Sequence, residues 1–464
     1  MDRSPEAVPH RIGPVSQHDK ALHIVRRLRE AGHEAYLAGG CVRDRLLGRP
    51  PKDYDIATDA TPRSVQGIFP DTVPVGSKFG SVVVVVEGDP FEVTTFRFDG
   101  PYRDGRRPVA VRYGALEDDV RRRDFTINAM MYDPAEDRVI DLVNGREDLR
   151  RGLVRAIGDP HERFAEDRLR MVRAVRLACG LGFAIDGPTL QAIRDHAAAV
   201  TEVAWERIGA EITRTLTEGG ARRGVELLDA AGLLEVILPE VAAMKGCEQT
   251  PDYHPEGDVF VHTLLLLGHL DAPTETLAYG CLLHDVAKPP CRQPAGERVT
   301  FHGHPELGAE MAGEILRRLK RSRAVAERVA WLVRYHLRYT QAPKMRLSTL
   351  KRFLAEDGIH ELLELCRIDA LSSNGDLGYY DFCQRKLAEL GETEVKPEPL
   401  LRGRDLIRLG YAPGPSFSAM LRAVEEAQLE GELRTSGEAI DWVRRRYPPG
   451  TESYASAAGR STRR

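Results

Sequence analysis

The sequence predicts an α+β head followed by a long all-helical remainder, and three observations carry this. Residues 36–59, YLAGGCVRDRLLGRPPKDYDIATD, read as a strand, a glycine turn, a short helix, a proline-marked loop and a second strand. The β-branched runs SVVVVVEG (81–88) and FEVTTFR (91–97) read as adjacent strands joined at Gly88-Asp89-Pro90. From Glu162 onward the apolar residues recur at helical spacing and continue so almost to the end. The head is expected to be a small mixed sheet with helices on one side. At 464 residues, the chain should form three or four domains, by the usual allowance of about 100–200 residues each.

In chain order, the proline content and lack of periodicity of the first residues predict a disordered segment over 1–19. Residues 20–30 form an amphipathic helix ended by Gly32. The 36–59 stretch follows, and Thr61-Pro62 opens a further helix, with proline at an early position. Residues 99–114, DGPYRDGRRPVAVRYG, have the glycine-rich, basic composition of a mobile loop. Residues 116–130, LEDDVRRRDFTINAM, pass from acids into a helix, and 138–158 close the head with a strand and a short basic turn. Residues 162–183 read as one helix carrying Asp167, Arg170, Arg173 and Arg176 three apart, with Leu169, Val172 and Val175 on the inward flank. Residues 399–433 read as two helices around a Gly/Pro turn, and 448–464 as a disordered basic end. The resulting division is 20–150 head, 151–245 neck, 246–375 a histidine-bearing helical domain, and 376–447 tail.

The chemistry of 36–59 follows from its residue types. Gly39 and Gly40 lack a Cβ, so the chain turns sharply and lets a ligand approach. The helix behind them presents unpaired amide groups, which attract phosphate, and Arg43 adds a planar cationic fork. Asp53 and Asp55, two apart in a strand, would share a face. Their repulsion is relieved by a cation, and hard oxygen ligands beside phosphate favour magnesium. Glu92 points either to the same face or to solvent. The acid and arginines of 167–176 form either a salt-bridge ladder or a surface offering acceptor and donors together. The latter matches the edges of C and A, which both carry an exocyclic amine and a ring-nitrogen acceptor.

GGCVRD followed by KDYDIATDATP resembles the signature of polymerase-beta-type nucleotidyltransferases. Within that group it is similar to the class II tRNA nucleotidyltransferases (CCA-adding enzymes) and the bacterial poly(A) polymerases. The resemblance implies an α+β nucleotidyltransferase head, with a polymerase-beta-like mixed sheet and helices, followed by all-α neck, HD and tail domains. It implies Asp53 and Asp55 as catalytic magnesium ligands. Gly39, Gly40, Arg43, Arg123 and Asp124 (the last two in the RRD motif at 122–124) would bind nucleotide. EDRLR (166–170) matches the family's EDxxR motif, so Asp167 and Arg170 would read CTP or ATP without a template, with Arg173 and Arg176 in support. Glu206, Arg207 and Glu211 would brace that element. The implied partners are the tRNA 3′ end, ATP and CTP, with the tail as a tRNA contact. A flexible loop at 99–114 favours an enzyme able to add A, and VGSKFG (75–80) looks more like the tRNA-directed group than the poly(A) group. An A-only enzyme or a poly(A) polymerase are the alternatives.

A second constellation begins after Gly246. His262 lies on an apolar helix, His284-Asp285 follows an apolar run that Pro289 is expected to end, and Asp369 follows much later. His269 reads as an ordinary core histidine. Imidazole with carboxylate suits a divalent ion. The series resembles the HD phosphohydrolase superfamily, which implies that His262, His284, Asp285 and Asp369 hold one divalent ion; of the pair at His302 and His304, the latter would join His336 at a second. A phosphohydrolase or phosphodiesterase activity, as a second or main function, is the alternative of another class. RNA binding without turnover does not call for two metal constellations.

Composition narrows the setting. Hydrophobic residues make up 42%, enough for real cores, and the net charge of −4 excludes a bulk nucleic-acid binder, so RNA contacts must come from local arginine clusters. Seven cysteines without a CxxC pair predict reduced thiols and a cytoplasmic protein. No apolar run reaches the roughly 20 residues a membrane span needs, and no secretion signal is expected at the N-terminus.

Overall fold

The computed structural model describes residues 16–74, 80–99, 111–249, 257–295, 298–395 and 397–448. Most of the expected basic loop at 99–114, most of 75–80 and most of the two terminal segments therefore lie outside the described residues; residues 17–19, expected to be disordered, are helical. The chain divides into two compact units. The first is built from residues up to 243 together with 270–275 and 315–322, and the second from the remainder.

In the first unit, α1 (Gln17–Glu30) starts where the Ser16 hydroxyl accepts from Asp19 N and buries Ala21, Ile24, Val25 and Leu28, one helical stripe. Strand β1 (Ala35–Ala38) leads through Gly39 into α2 (Gly40–Leu46), and β2 (Asp55–Thr58) returns antiparallel to β1. Helix α3 (Pro62–Ile68) is capped by Thr61. Strands β3 (Thr72–Val73), β4 (Ser81–Val86) and β5 (Asp89–Thr95) follow. The β4–β5 turn is Glu87-Gly88, both at positive φ, so Asp89 and Pro90 belong to β5 instead of the expected turn. The short strands β6 (Arg97–Asp99) and β7 (Val111–Tyr113) pair with each other. Helix α4 (Leu116–Arg121), β8 (Met131–Asp133), β9 (Arg138–Ile140) and α5 (Gly145–Arg151) complete the head. Among the described residues, the main sheet runs β3-β4-β5-β2-β1-β8-β9, mixed because β2 and β5 are parallel.

Register decides which side chains share a face. Ala38 pairs with Asp55, and Leu37 pairs with both Ile56 and Tyr132. Paired residues point the same way. Ala38, Ala57 and Met131 therefore pack with Phe96, Val120 and Ile157 on one face, while Leu37, Ile56 and Tyr132 face the other side.

The neck is helical, with one departure from expectation. Residues 162–183 are two helices, α6 (Pro160–Glu166) and α7 (Leu169–Leu181), broken at Asp167, whose backbone is extended. The Asp167 carboxylate accepts from Leu169 N at 3.1 Å, offering the chain a local alternative to continuous helix. Helices α8 (Gly187–His196), α9 (Trp205–Thr217), α10 (Ala221–Ala230), α11 (Leu234–Ile237) and α12 (Pro239–Ala242) follow.

The second unit contains α13 (Val259–Gly268) and α14 (Glu275–Leu283), whose first residue belongs to the first unit. Next come α15 (Lys288–Cys291), α16 (His304–Arg318, which ends in the first unit), α17 (Arg323–Tyr335), α18 (Leu347–Leu354) and α19 (Ile359–Ser372). Pro289 opens α15 and does not end α14, because proline is tolerated in a helix's first turn. The tail comprises α20 (Gly378–Val395), kinked at Gly391, α21 (Gly403–Arg408), α22 (Pro415–Leu429) and α23 (Ser436–Arg446). Its last three helices share a small core of Leu406, Tyr411, Met420, Val424, Ala439 and Val443.

Candidate active site and a second candidate metal centre

In the head, β2 starts at Asp55, so Asp53 lies just ahead of the strand and strand alternation alone does not align the two. Electrostatics does associate them. The Asp55 carboxyl is pushed up to about 6, first by lost hydration, then by Glu92 and Asp53, against the pull of Arg123. Asp55 and Glu92 occupy adjacent places on parallel strands, with Ile56 paired to Val93. Glu92, which the sequence left undecided, therefore faces the same side as Asp55. Three carboxylates crowded in this way fit a hard divalent cation.

The turn closes around this group. Gly39 has φ 76° and ψ −132°, a conformation that favours glycine. A Cβ there would lie 3.3 Å from Arg123 Nη1 and 3.6 Å from Asp55 Oδ2. Asp119, missed by the sequence reading, is wholly buried and holds both neighbouring arginines. Its Oδ1 accepts from Arg122 Nε at 2.8 Å, and its Oδ2 from Arg123 Nε at 3.2 Å and Nη2 at 3.0 Å. Arg123 Nη1 also donates to Asn128 O at 3.3 Å. Arg43 is more engaged than its expected phosphate role suggested, because Nη1 donates to Asn128 Oδ1 at 2.6 Å and Nε to Asp44 at 2.8 Å.

The structure pairs the neck residues differently from the sequence expectation. Asp167 and Arg170 do not pair with each other. Asp167 Oδ2 accepts from Arg207 Nη2 at 3.0 Å. Arg170, 8% exposed, donates to Glu166 Oε2 and to the carbonyls of Arg163 and Arg122. Asp124 does not stand free to orient a ligand, because Arg173 Nε and Nη2 reach its Oδ2 at 2.9 and 2.7 Å. Burial alone would raise the Asp124 pKa, but Arg173 and Arg170 outweigh that and hold it below the usual range. Arg176 is tied to the buried Glu211. The break at Asp167 is the physical reason, since it moves that residue off the helix carrying the arginines. Among the described residues, Glu206 makes no ion pair.

The second centre gathers side chains from five places in the chain. His262, His284 and Asp369 bring ligand atoms within 4.8 Å of one another, as do Asp285, His304 and His336. Asp285 stands beside His284 and His262, as expected around a first ion, and also falls with His304 and His336. It links the trios, with Oδ2 3.1 Å from His284 Nε2 and Oδ1 3.4 Å from His304 Nε2. His262 Nε2 is 3.0 Å from Asp369 Oδ1. The Nδ1 atoms of His284, His304 and His336 lie 3.0, 2.8 and 2.6 Å from the carbonyls of Cys281, Phe301 and Val333. Nδ1–H donation to those carbonyls leaves each Nε2 lone pair facing inward, as a metal ligand requires. Asp285 Oδ1 and His304 Nε2 are buried without a hydrogen-bond partner, which fits a cation between them. Burial pushes His336 down to about 4, so it stays neutral at neutral pH. Lys288, also missed from sequence, reaches Asp285 Oδ2 at 2.7 Å and Gln249 Oε1 at 2.6 Å. His302 is exposed, and His269 is an exposed helix-end residue, not a core histidine, because α13 ends there.

A strand–glycine turn–helix presenting crowded carboxylates, joined to a helical neck and a buried histidine–aspartate cluster, defines the nucleotidyltransferases that carry an HD domain. Residues 35–155 match the "Poly A polymerase head domain", 182–245 the "Probable RNA and SrmB- binding site of polymerase A", and 258–374 the "HD domain". The CCA-adding enzyme of Geobacillus stearothermophilus is 47% identical over 48% of this chain, a match spanning about half (55%) of that relative's length. The CCA-adding enzyme of Geobacillus sp. (strain WCH70) is 33% identical over 91% of this chain and 96% of its own. The solved Bacillus stearothermophilus CCA-adding enzyme in complex with CTP matches 93% of this chain and 98% of its own, at TM-score 0.71 and 30% identity. The Thermotoga maritima CCA-adding enzyme complexed with tRNA_CCA, at 17% identity and TM-score 0.59 over 94% and 97% of the two chains, shares the fold. This chain belongs to the CCA-adding enzyme family, and its head and HD domains belong to families that depend on divalent metal. Among the described residues, no helix is long and apolar enough to cross a membrane.

Proposed function

We propose that this chain is a cytoplasmic, template-independent tRNA nucleotidyltransferase that adds CCA to the tRNA 3′ end from CTP and ATP. The RNA 3′-hydroxyl attacks the α-phosphorus, the α–β anhydride bond breaks, and pyrophosphate leaves. The observation that carries this reading is the convergence of Gly39, Asp55 and Arg123 at one turn. Asp53 and Asp55 are the residues that hold magnesium, with Glu92 beside them. Bound there, magnesium makes the attacking hydroxyl more acidic and offsets the charge of the triphosphate.

The remaining work falls to the chain itself. The bare turn at Gly39 and Gly40 admits the triphosphate, and Arg43 and Arg123 stabilise its oxygens. Arg123 is held from behind by Asp119, which leaves one Nη1–H and one Nη2–H for the ligand. Asp167 accepts from the exocyclic amine of C or A. Arg170 keeps its Nε–H and one Nη2–H for the ring nitrogen. U and G present the opposite pattern and are refused. Arg173, paired with Asp124, and Arg176, paired with Glu211, support this surface, and Arg207 steadies Asp167. The tail contacts the tRNA body.

The test is a tRNA transcript lacking CCA, incubated with CTP, with ATP and with both. Two cytidines from CTP and then one adenosine from ATP are expected. Extension only of a CC-ended transcript would make this an A-only enzyme, and a long A tail would make it a poly(A) polymerase. The buried His/Asp cluster favours a second activity, a metal-dependent phosphohydrolase or phosphodiesterase. Phosphate release that survives Asp55→Ala and is lost in Asp285→Ala supports it; release lost in both, or in neither, refutes it.

A further inference from the structure

A cavity of about 340 Å³ opens on the head beside α2, lined among others by Leu37, Val42, Arg49, Pro51, Tyr54 and Tyr132. This is the size range of sites for small ligands. Register separates it from the carboxylates. Leu37 pairs with Tyr132, whereas Asp55 pairs with Ala38, so the cavity wall and Asp55 belong to opposite faces of the sheet.

The lining has a definite chemistry. Tyr54 and Tyr132 offer aromatic surface, with the His18 ring 5.6 Å from Tyr54, and Leu37, Val42 and Pro51 offer apolar surface. The ionisable groups around the cavity are Arg45, Arg49, His18, the two tyrosines and the Cys41 thiol, and no carboxylate lines it. The guanidinium of Arg45 already lies 4.4 Å over the Tyr132 ring and 3.6 Å from Asp137. Arg49 is exposed and, among the described residues, makes no ion pair.

We propose that this cavity is a second ligand site, for a planar aromatic ring carrying one anionic group, of the size class of a free nucleoside monophosphate. The ring stacks on Tyr54 and the anion meets Arg49. The RNA 3′ end must lie on the carboxylate face, so a small molecule is the better occupant. Tyr54 stands between Asp53 and Asp55 in the chain, so the occupant acts on turnover by restraining the segment that carries both acids.

GMP is the probe, because the base-reading pair of the proposed transfer site refuses guanine; the inference rests on that reading for this choice, for setting aside the RNA 3′ end and for the effect on turnover. Isothermal titration of the full chain should show one GMP site that saturating CTP with magnesium does not displace. Arg49→Glu should weaken it about tenfold, the loss of one charge-assisted contact, with CCA addition in the absence of GMP unchanged. On the unaltered protein, a photoreactive azido-GMP should label the peptide spanning residues 41–54. GMP should change kcat with KM for CTP unchanged. Absence of GMP binding, displacement by CTP or by tRNA, or labelling confined to 162–176 overturns the proposal. CCA addition failing while GMP binds and labels as expected would refute the proposed transferase function alone.

Discussion

Asp119→Asn tests how the head positions Arg123, the arginine proposed to meet the triphosphate. The carboxylate is fully buried and accepts from Arg122 and Arg123 through both oxygens. Asparagine keeps the volume but retains one acceptor oxygen and turns an amine toward a guanidinium. Removing one partner of a buried ion pair costs about 3–5 kcal/mol. Here the two arginine side chains stay 17% and 18% exposed and can partly rehydrate, so a loss of about 2–3 kcal/mol, below that range, is expected. With Arg123 no longer aimed at the glycine turn, KM for both CTP and ATP should rise about tenfold, or 1.4 kcal/mol, while the choice between C and A is kept. A chain of several domains does not unfold in one step, so stability is read as hydrogen exchange of residues 116–130, alongside steady-state kinetics. Unchanged exchange and unchanged KM would mean that Arg123 is aimed by something other than this carboxylate.

Three further outcomes follow from the same geometry. Gly39→Ala should cost about 1–3 kcal/mol of local strain and displace Arg123, lowering kcat by roughly a hundredfold; near-normal turnover would show the turn to be tolerant. Because the Asp55 carboxyl is pushed up to about 6 in the metal-free protein, protons compete with the cation for it, so the magnesium concentration that half-saturates nucleotidyl transfer should rise as pH drops through 6; a half-saturating concentration that stays flat across that range would contradict the crowding. The linkage sign is that of a raised pKa: the metal-free protein gains stability as pH falls from 6 toward 3.8 and loses that gain as pH rises again, and Asp55→Asn should remove this part of the melting-temperature profile. In the histidine-rich unit, Asp285→Asn should lower bound divalent metal, measured by elemental analysis after dialysis, by about half or more, since the side chain bridges both trios; unchanged metal content would remove Asp285 from the ligand set.

Much of this protein is written in local sequence. The strand–glycine–helix–DxD stretch is local chemistry: Gly39 must turn, the helix stops at Leu46 ahead of Gly48 at positive φ and the proline pair, and β-branched residues must extend. The ordered series His262, His284-Asp285, Asp369 likewise announces a metal-type cluster through residue type alone. The sequence could not decide contacts that depend on which distant groups meet. Glu92 joined Asp55 only because β2 and β5 lie parallel and in register. Asp119 looked like one acid in a charged run until burial placed it under two guanidiniums. The helix expected over 162–183 broke because the Asp167 side chain captured a backbone amide two residues on, and with that break Arg207 became its partner. Asp285 was assigned to the trio of His262, His284 and Asp369 by its position in the chain, and it reaches a second trio as well because α16 and the end of α17 bring His304 and His336 to its other oxygen. Backbone preference and ligand chemistry act over a few residues and so can be read along the chain; pairing between charges many residues apart exists only once the sheet register and helix packing have brought them within reach.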